Sequence, residues 1–215
     1  MQPTTLTALE SSTLGSSRLR RTIIVWQSCV RVLFAPFVKQ MNLGMRVDFV
    51  AQDLEPGVRY IVASNHQSAL DSFIYLTIFT PSVFRRLRPF RAMTLNPYFD
   101  RPLIKWGAIF MGCFPARAHH KYPSGTTFAG ELLSGPQTVF ICPEGGRTLP
   151  GTKPARPGVA KLALLPNVMI IPAHIQWYHT GVLRRSFRLT LGRPMDASQM
   201  TAQAILDHIY ALKLP

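Results

Sequence analysis

Three cysteines in 215 residues are too few and too scattered to staple a fold. Cys29, Cys113 and Cys142 form no CxxC pair, and an odd count leaves no complete disulfide framework. The same spacing excludes a structural zinc site. A reducing compartment is the simpler setting. Acidic residues are scarce as well: 10 Asp and Glu stand against 24 Lys and Arg, a formal net charge of +14. Yet only 16% of residues are charged while 47% are hydrophobic, which departs from the polar make-up of a basic nucleic-acid binder. An unbroken run of the ~18–20 apolar residues that a membrane span needs is also missing. The best stretch, Thr22 to Val38, is interrupted by Gln27, Ser28, Arg31 and Pro36. No small-residue cleavage site follows it, so it does not read as a secretory signal. No Gly-x-Ser-x-Gly elbow occurs, which counts against a serine hydrolase. No internal repeat is visible.

What is present divides the chain into three. Residues 1–17 are Ser- and Thr-rich with little charge and read as a disordered tail. Residues 18–43 read as an N-terminal membrane-associated helix. Ile23, Ile24, Trp26, Val30, Leu33, Phe34 and Phe37 recur at three- and four-residue steps behind Arg18, Arg20 and Arg21. A basic, aromatic-bearing, partly amphipathic helix suits an interface, or packs on the domain core. The rest, 44–215, fits one domain with a full core.

Within that domain, strand and helix patterns alternate. Arg46 to Val50 alternates polar and apolar, and Tyr60-Ile61-Val62-Ala63 is a buried-type strand. The spacing predicts a helix over Ser68 to Phe79, capped by Ser68. Phe90 to Met93, Thr138 to Cys142, Val168 to Pro172 and Phe187 to Leu191 read as strands. Leu103 to Met111, Thr126 to Leu133, Val159 to Leu165 and Ala202 to Leu212 read as helices. The Pro- and Arg-rich segments 81–89 and 150–157 read as surface loops. The fold class is therefore α/β, a mixed sheet covered by helices.

Three places carry candidate chemistry. His66 and Asp71 are five residues apart, ~140° around an ideal helix, so they meet only if His66 precedes the helix and Asp71 lies in its first turn. A carboxylate beside an imidazole fixes its tautomer and readies it to take a proton from an alcohol. Taken alone, the pair also fits a helix cap beside a core histidine. The turn Cys142-Pro143-Glu144-Gly145-Gly146-Arg147 follows a buried strand. Its glycines let an anion approach the backbone, and Arg147 offers a forked charge suited to phosphate. Lys153 and Arg156 follow closely. Taken alone, this is equally a glycine turn with a surface arginine. Arg117 belongs to a stretch from Arg85 to Lys121 holding eight basic residues and a single acid, Asp100. Such a stretch attracts membrane phosphates or an anionic substrate, or is a solvated face. His119 and His120 are adjacent, point apart and form no metal site. His174 follows an apolar strand and lines the core or the site.

Together these residues resemble the lysophosphatidic acid acyltransferase family, the 1-acyl-sn-glycerol-3-phosphate acyltransferases. Its motif Asn-His-x-x-x-x-Asp is matched by Asn65, His66 and Asp71. Its motif Gly-x-x-Phe-Ile-x-Arg is matched by Phe114 and Arg117, with Pro115 for Ile and the glycine one place late at Gly112. Its motif Phe-Pro-Glu-Gly-Thr-Arg is matched by Pro143, Glu144, Gly145 and Arg147, with Cys142 for Phe and Gly146 for Thr. An apolar run ending in Pro is matched by Val168 to Pro172. The resemblance covers roughly residues 45–210.

It implies an acyltransferase domain over 44–215, with His66 as general base oriented by Asp71. It implies acyl transfer from acyl-CoA or acyl carrier protein to the sn-2 hydroxyl of 1-acyl-glycerol-3-phosphate, giving phosphatidic acid. Arg117 and Arg147 would hold the acceptor phosphate, Gly145 would permit its close approach, and Glu144 would position the loop. Pro172 would lie toward the acyl donor. No metal or cofactor is implied beyond the thioester co-substrate. The implied partners are the lysophospholipid, the acyl carrier and an anionic membrane surface, with no nucleic acid. The implied setting is the cytoplasmic face of a membrane. The departures at Gly146 and Pro115 leave open a related acceptor: glycerol-3-phosphate, another lysophospholipid or a lyso-ornithine lipid. A non-catalytic basic membrane-binding protein is the reading from another class.

Overall fold

The computed structural model describes residues 16–117, 124–147, 153–179 and 185–214. Residues 1–15 of the proposed tail, His119 and His120, and most of the 150–157 loop's first half lie outside them, whereas Ser16 and Ser17, the last two residues of that tail, cap and open the first helix. Helix α1 (Ser17–Met41) leads into β1 (Asn42–Val47) and β2 (Arg59–Ser64). Helices α2 (Asp71–Ile78) and α3 (Pro81–Leu87) precede β3 (Phe90–Thr94). Helix α4 (Pro102–Phe110), the short β4 (Phe114–Pro115), α5 (Gly125–Leu133) and β5 (Thr138–Ile141) follow. Helix α6 (Gly158–Ala163), the antiparallel pair β6 (Val168–His179) and β7 (Arg185–Leu191), and α7 (Ala202–Ala211) complete the chain.

The strands form one seven-stranded mixed sheet in the order β1-β7-β6-β2-β5-β3-β4. Only β6 and β7 run antiparallel to each other, and the remaining neighbours are parallel. Alternation along the central strands builds two cores. Tyr60, Val62, Phe140, Ile171, Ala173 and Ile175 face α2 and α3. Ile61, Ala63, Val139, Ile141, Val168 and Ile170 face α5, α6 and α7. Strands buried on both faces need such near-continuous apolar runs, and that is how β2, β5 and β6 read.

Helix α1 is 25 residues long, N-capped by Ser16, whose side chain accepts from the Leu19 N–H. By length and composition it is apolar enough to cross a bilayer. The polar interruption at Gln27 has a local cause. Gln27 is fully buried, donates to the carbonyls of Phe90 (2.6 Å) and Met111 (3.0 Å), and accepts from the Phe90 N–H (3.1 Å). Its amide thus satisfies three buried backbone groups, each costing about 1–3 kcal/mol if left unpaired. Ile23 and Val38 pack on the same side. Val25, Trp26, Val32, Leu33, Phe34 and Phe37 remain exposed.

Three expectations are corrected. The first strand is Asn42–Val47 and stops short of Asp48, Phe49 and Val50. The stretch 81–89 is not wholly loop: Thr80 caps α3 by accepting from the Val83 N–H, and Pro81 sits where its missing N–H goes unneeded. The helix over Ser68 to Phe79 is shorter, Asp71–Ile78, and Ser68 is not its cap. The Asp71 carboxylate takes the Gln67 and Ser68 N–H groups instead, at 2.9 Å each, which holds residues 67–70 as a turn.

Candidate active site

Parallel strands deliver their carboxyl ends to one edge of a sheet, the usual place for ligands in open α/β folds. Here β2 pairs with both β5 and β6, and Ala63 lies opposite Ile141. The loops that leave β2 and β5 therefore emerge side by side. One carries His66 and the other Glu144.

Strand β2 ends at Ser64, yet β6 continues to His179. The exposed ladder groups of β6 are taken over by side chains. Asn65 donates to the Ile175 carbonyl and accepts from the Ile175 N–H, both at 2.8 Å. Gln67 Oε1 accepts from the Trp177 N–H at 2.9 Å. Asn65 and Gln67 thus mimic two further strand residues and leave the backbone free to turn between them. His66 sits at that turn.

His66 Nδ1 lies 2.9 Å from Asp71 Oδ2. Asp71 is wholly buried, and its carboxylate meets four donors: the His66 ring, the Gln67 and Ser68 N–H groups, and the Trp177 indole Nε1 at 2.8 Å. An ionised carboxylate only accepts, so a neutral imidazole placed here carries its proton on Nδ1 and offers Nε2 as the acceptor. From the other side, the His66 N–H donates to Glu144 Oε2 at 2.7 Å. The Tyr210 hydroxyl on α7 donates to Glu144 Oε1. Glu144 is itself buried. The Tyr210 ring meets His174 edge-on, with centroids 5.8 Å apart. His174 is buried, and desolvation, with Lys213 adding, lowers it to about 4.

His66 opens on a cavity of about 350 Å³ lined by residues following each of β2, β3, β4 and β5, including Ser68, Leu95, Ala116, Cys142, Gly145 and Arg147. Arg147 therefore faces the same space as His66. Its side chain is exposed. Gly145 has φ +68°, a left-handed conformation that favours glycine, and the guanidinium end of Arg156 lies over it where a Cβ would be. The Arg156 N–H donates to the Pro143 carbonyl at 2.8 Å. Burial, with Asp71 and Glu144 adding, pushes the Cys142 thiol well above its ordinary range. Burial likewise pushes Cys113 to about 11. Both thiols line the cavity but stay protonated at neutral pH, which makes them poor nucleophiles.

Of the residues singled out from sequence, His66, Asp71, Glu144, Gly145 and Arg147 come together. Arg117 stands apart. Its backbone is held by Asn96 at 3.0 and 3.1 Å, but its side chain is exposed and does not line the cavity, although its neighbour Ala116 does. Pro172 lies within β6, paired with Ala63, and does not line the cavity. Trp177 and Tyr210 were missed. Nothing in the local sequence connects them to Asp71 and Glu144, which lie 106 and 66 positions away.

A second cavity of about 390 Å³ adjoins the first and shares Ala69, Leu70, Ser72, Tyr98, Ala108 and Cys113 with it. Its further lining is largely apolar, with Phe73, Leu76, Phe90, Ile104 and Met111.

Comparison with known proteins bears on the fold and the family. No curated protein matches the chain in sequence. The crystal structure of the 1-acyl-sn-glycerophosphate (LPA) acyltransferase PlsC from Thermotoga maritima matches in fold. Its TM-score is 0.58 over 86% of this chain and 75% of that one, at 15% sequence identity. The acyltransferase family model matches residues 46–176, a span that holds His66, Asp71, Glu144 and Arg147 and more than half of the chain. The chain belongs to the acyltransferase family.

Proposed function

We propose that this protein moves a fatty acyl group from acyl-CoA or acyl carrier protein to the sn-2 hydroxyl of 1-acyl-glycerol-3-phosphate, giving phosphatidic acid. The observation that carries the reading is His66, its Nδ1 taken by buried Asp71, at the edge of a cavity that also receives Arg147.

In this mechanism Nε2 accepts the proton of the acceptor hydroxyl as its oxygen attacks the thioester carbonyl. A tetrahedral oxyanion forms. It collapses with cleavage of the C–S bond, and the departing sulfur takes the proton from Nε2. The protonated state of Cys142 and Cys113 favours this direct transfer over an acyl-cysteine. Arg147 holds the acceptor phosphate, and the missing side chain of Gly145 lets Arg156 lie against the same loop. Glu144 fixes the His66 backbone and so positions the base. The acyl chain lies in the adjoining apolar cavity. The exposed apolar face of α1, with Arg18, Arg20 and Arg21 at its start, rests on an anionic membrane surface at the cytoplasmic side.

A second reading keeps the reaction and changes the acceptor. It is favoured by Arg117, whose side chain lies outside the cavity lining and leaves fewer cations facing a phosphate there. Offering the purified protein labelled acyl-CoA and acyl carrier protein with a panel of lysolipids and glycerol-3-phosphate separates the two by product. His66→Ala is expected to lose transfer by about 10²–10⁴-fold while keeping its circular dichroism spectrum. Near-normal transfer by that variant sinks the mechanism.

A further inference from the structure

We infer that Trp177 is a positioning residue for the base, acting through Asp71, and that the indole N–H rather than the ring's bulk is what matters. This rests on the proposed role of His66.

The two oxygens of Asp71 are held differently. Oδ2 faces His66 Nδ1 and the N–H groups of Gln67 and Ser68, all supplied by the turn immediately before α2. Oδ1 receives Trp177 Nε1 from β6, 106 positions away. Donors on Oδ2 alone leave the carboxylate able to swing about its Cβ–Cγ bond. A donor on Oδ1 fixes the plane, and with it the direction in which Oδ2 meets the imidazole.

Trp177 is itself anchored at two points. Its backbone N–H donates to Gln67 Oε1 at 2.9 Å. Its ring packs on Phe187, with centroids 5.6 Å apart. The result is a closed circuit: Gln67 backbone to Asp71, Asp71 to the Trp177 ring, Trp177 backbone to the Gln67 side chain. Each member restrains the next, and the circuit ties the His66 turn to the central strand β6.

The choice of donor has a chemical reason. Indole N–H donates and accepts nothing. A Ser, Thr or Tyr at the same place also satisfies Oδ1, but brings an oxygen that can receive protons beside the dyad. Trp177 orients the carboxylate without entering the proton inventory. It lies one residue past the stretch 46–176 that matches the family, so the motifs around His66 do not themselves specify it.

The decisive replacement keeps the shape and removes the donor. Trp177→3-benzothienylalanine, introduced by amber suppression, exchanges the indole N–H for sulfur, and Trp177→Phe serves as a second variant. Loss of one hydrogen bond to a charged group is expected to lower kcat about 10- to 100-fold, with KM for donor and acceptor within about twofold. The ring ¹⁵N shifts of His66 in histidine-labelled protein, read without substrate, are expected to move from a single Nδ1–H tautomer toward an averaged pattern. Unchanged kcat with unchanged shifts overturns the inference. So does a raised KM at unchanged kcat, which places Trp177 in substrate binding. If wild-type protein transfers no acyl group to any acceptor, the functional reading fails, while the ¹⁵N shifts still decide whether Trp177 sets the imidazole.

Discussion

The two sides of the cavity are built differently. On the base side, His66 is held through its ring by Asp71 and through its backbone by Glu144, and both carboxylates are buried and held in turn by Trp177 and Tyr210. On the cation side, Arg147, Lys153 and Arg156 are exposed, and Arg117 is exposed without lining the cavity. A base must meet a specific proton along a narrow line, so its geometry is worth fixing before substrate arrives. A phosphate is a diffuse dianion. Exposed guanidinium groups meet it without such alignment, at the expense of solvent screening. Under the proposed function, the difference suits an enzyme whose chemistry is constant and whose acceptor headgroup is caught by long-range attraction.

The largest effect is expected where the base side is most tightly built. Asp71→Asn keeps the size and turns an acceptor into a group whose NH₂ confronts a neighbouring N–H. The wrong tautomer of His66 follows, with kcat reduced on the order of 10³-fold and stability lowered by about 2–4 kcal/mol. Steady-state rates and urea denaturation measure the two together. A loss below tenfold in kcat breaks the comparison, because it means the base works without its orienter.

Next comes the cation side. Arg147→Ala is expected to raise KM for a phosphate-bearing acceptor about 10- to 30-fold, equivalent to losing one charge-assisted contact, with little change in KM for the thioester. The same change at Arg117 is expected to have a smaller effect, since its side chain does not line the cavity. Titrating each substrate at saturating levels of the other separates the two sides. Equal loss toward both substrates, or a larger effect at Arg117, removes the assignment of phosphate binding to Arg147.

The same contrast divides what could be read from the sequence. His66 and Asp71 were legible because their five-residue spacing has a single geometric solution, a turn followed by a helix start. The strands were legible because burial on both faces leaves continuous apolar runs, as at Thr138–Ile141. Helix α3 is hidden in the sequence because Pro81 and its arginines look like breakers. Thr80 as cap reverses that, and Pro81 suits a first helical position. The capping-box spacing points to Ser68 as the start of α2. The buried carboxylate at Asp71 takes those N–H groups itself. Trp177 and Tyr210 were illegible for another reason. They act through sheet and helix packing on groups far away in the chain, and no local pattern records such a contact. Gln27 belongs with them: a polar break in an apolar helix becomes intelligible only once the Phe90 and Met111 carbonyls stand opposite it.

The smallest effect on rate, and a sharper test of how the base side is supported, lies at His174. It is buried behind Tyr210, which holds Glu144, and desolvation lowers it from the ordinary 6.5 to about 4. The folded protein therefore resists protonating it, whereas the unfolded chain takes a proton near the ordinary value. Unfolding is then coupled to proton uptake between those values. Stability is full above about 6.5 and is lost as pH falls toward 4, by an amount on the order of 2 kcal/mol after allowing for partial solvent screening. His174→Gln cannot take up that proton. Urea denaturation of the variant is expected to give a stability profile flatter than wild type between pH 4 and 6.5. Its rate at neutral pH is expected to change little, because wild-type His174 is already neutral there. Parallel acid limbs in the two proteins mean that His174 titrates normally. In that case the support behind Tyr210 is wetter than the packing indicates, and the contrast with the exposed cation side narrows.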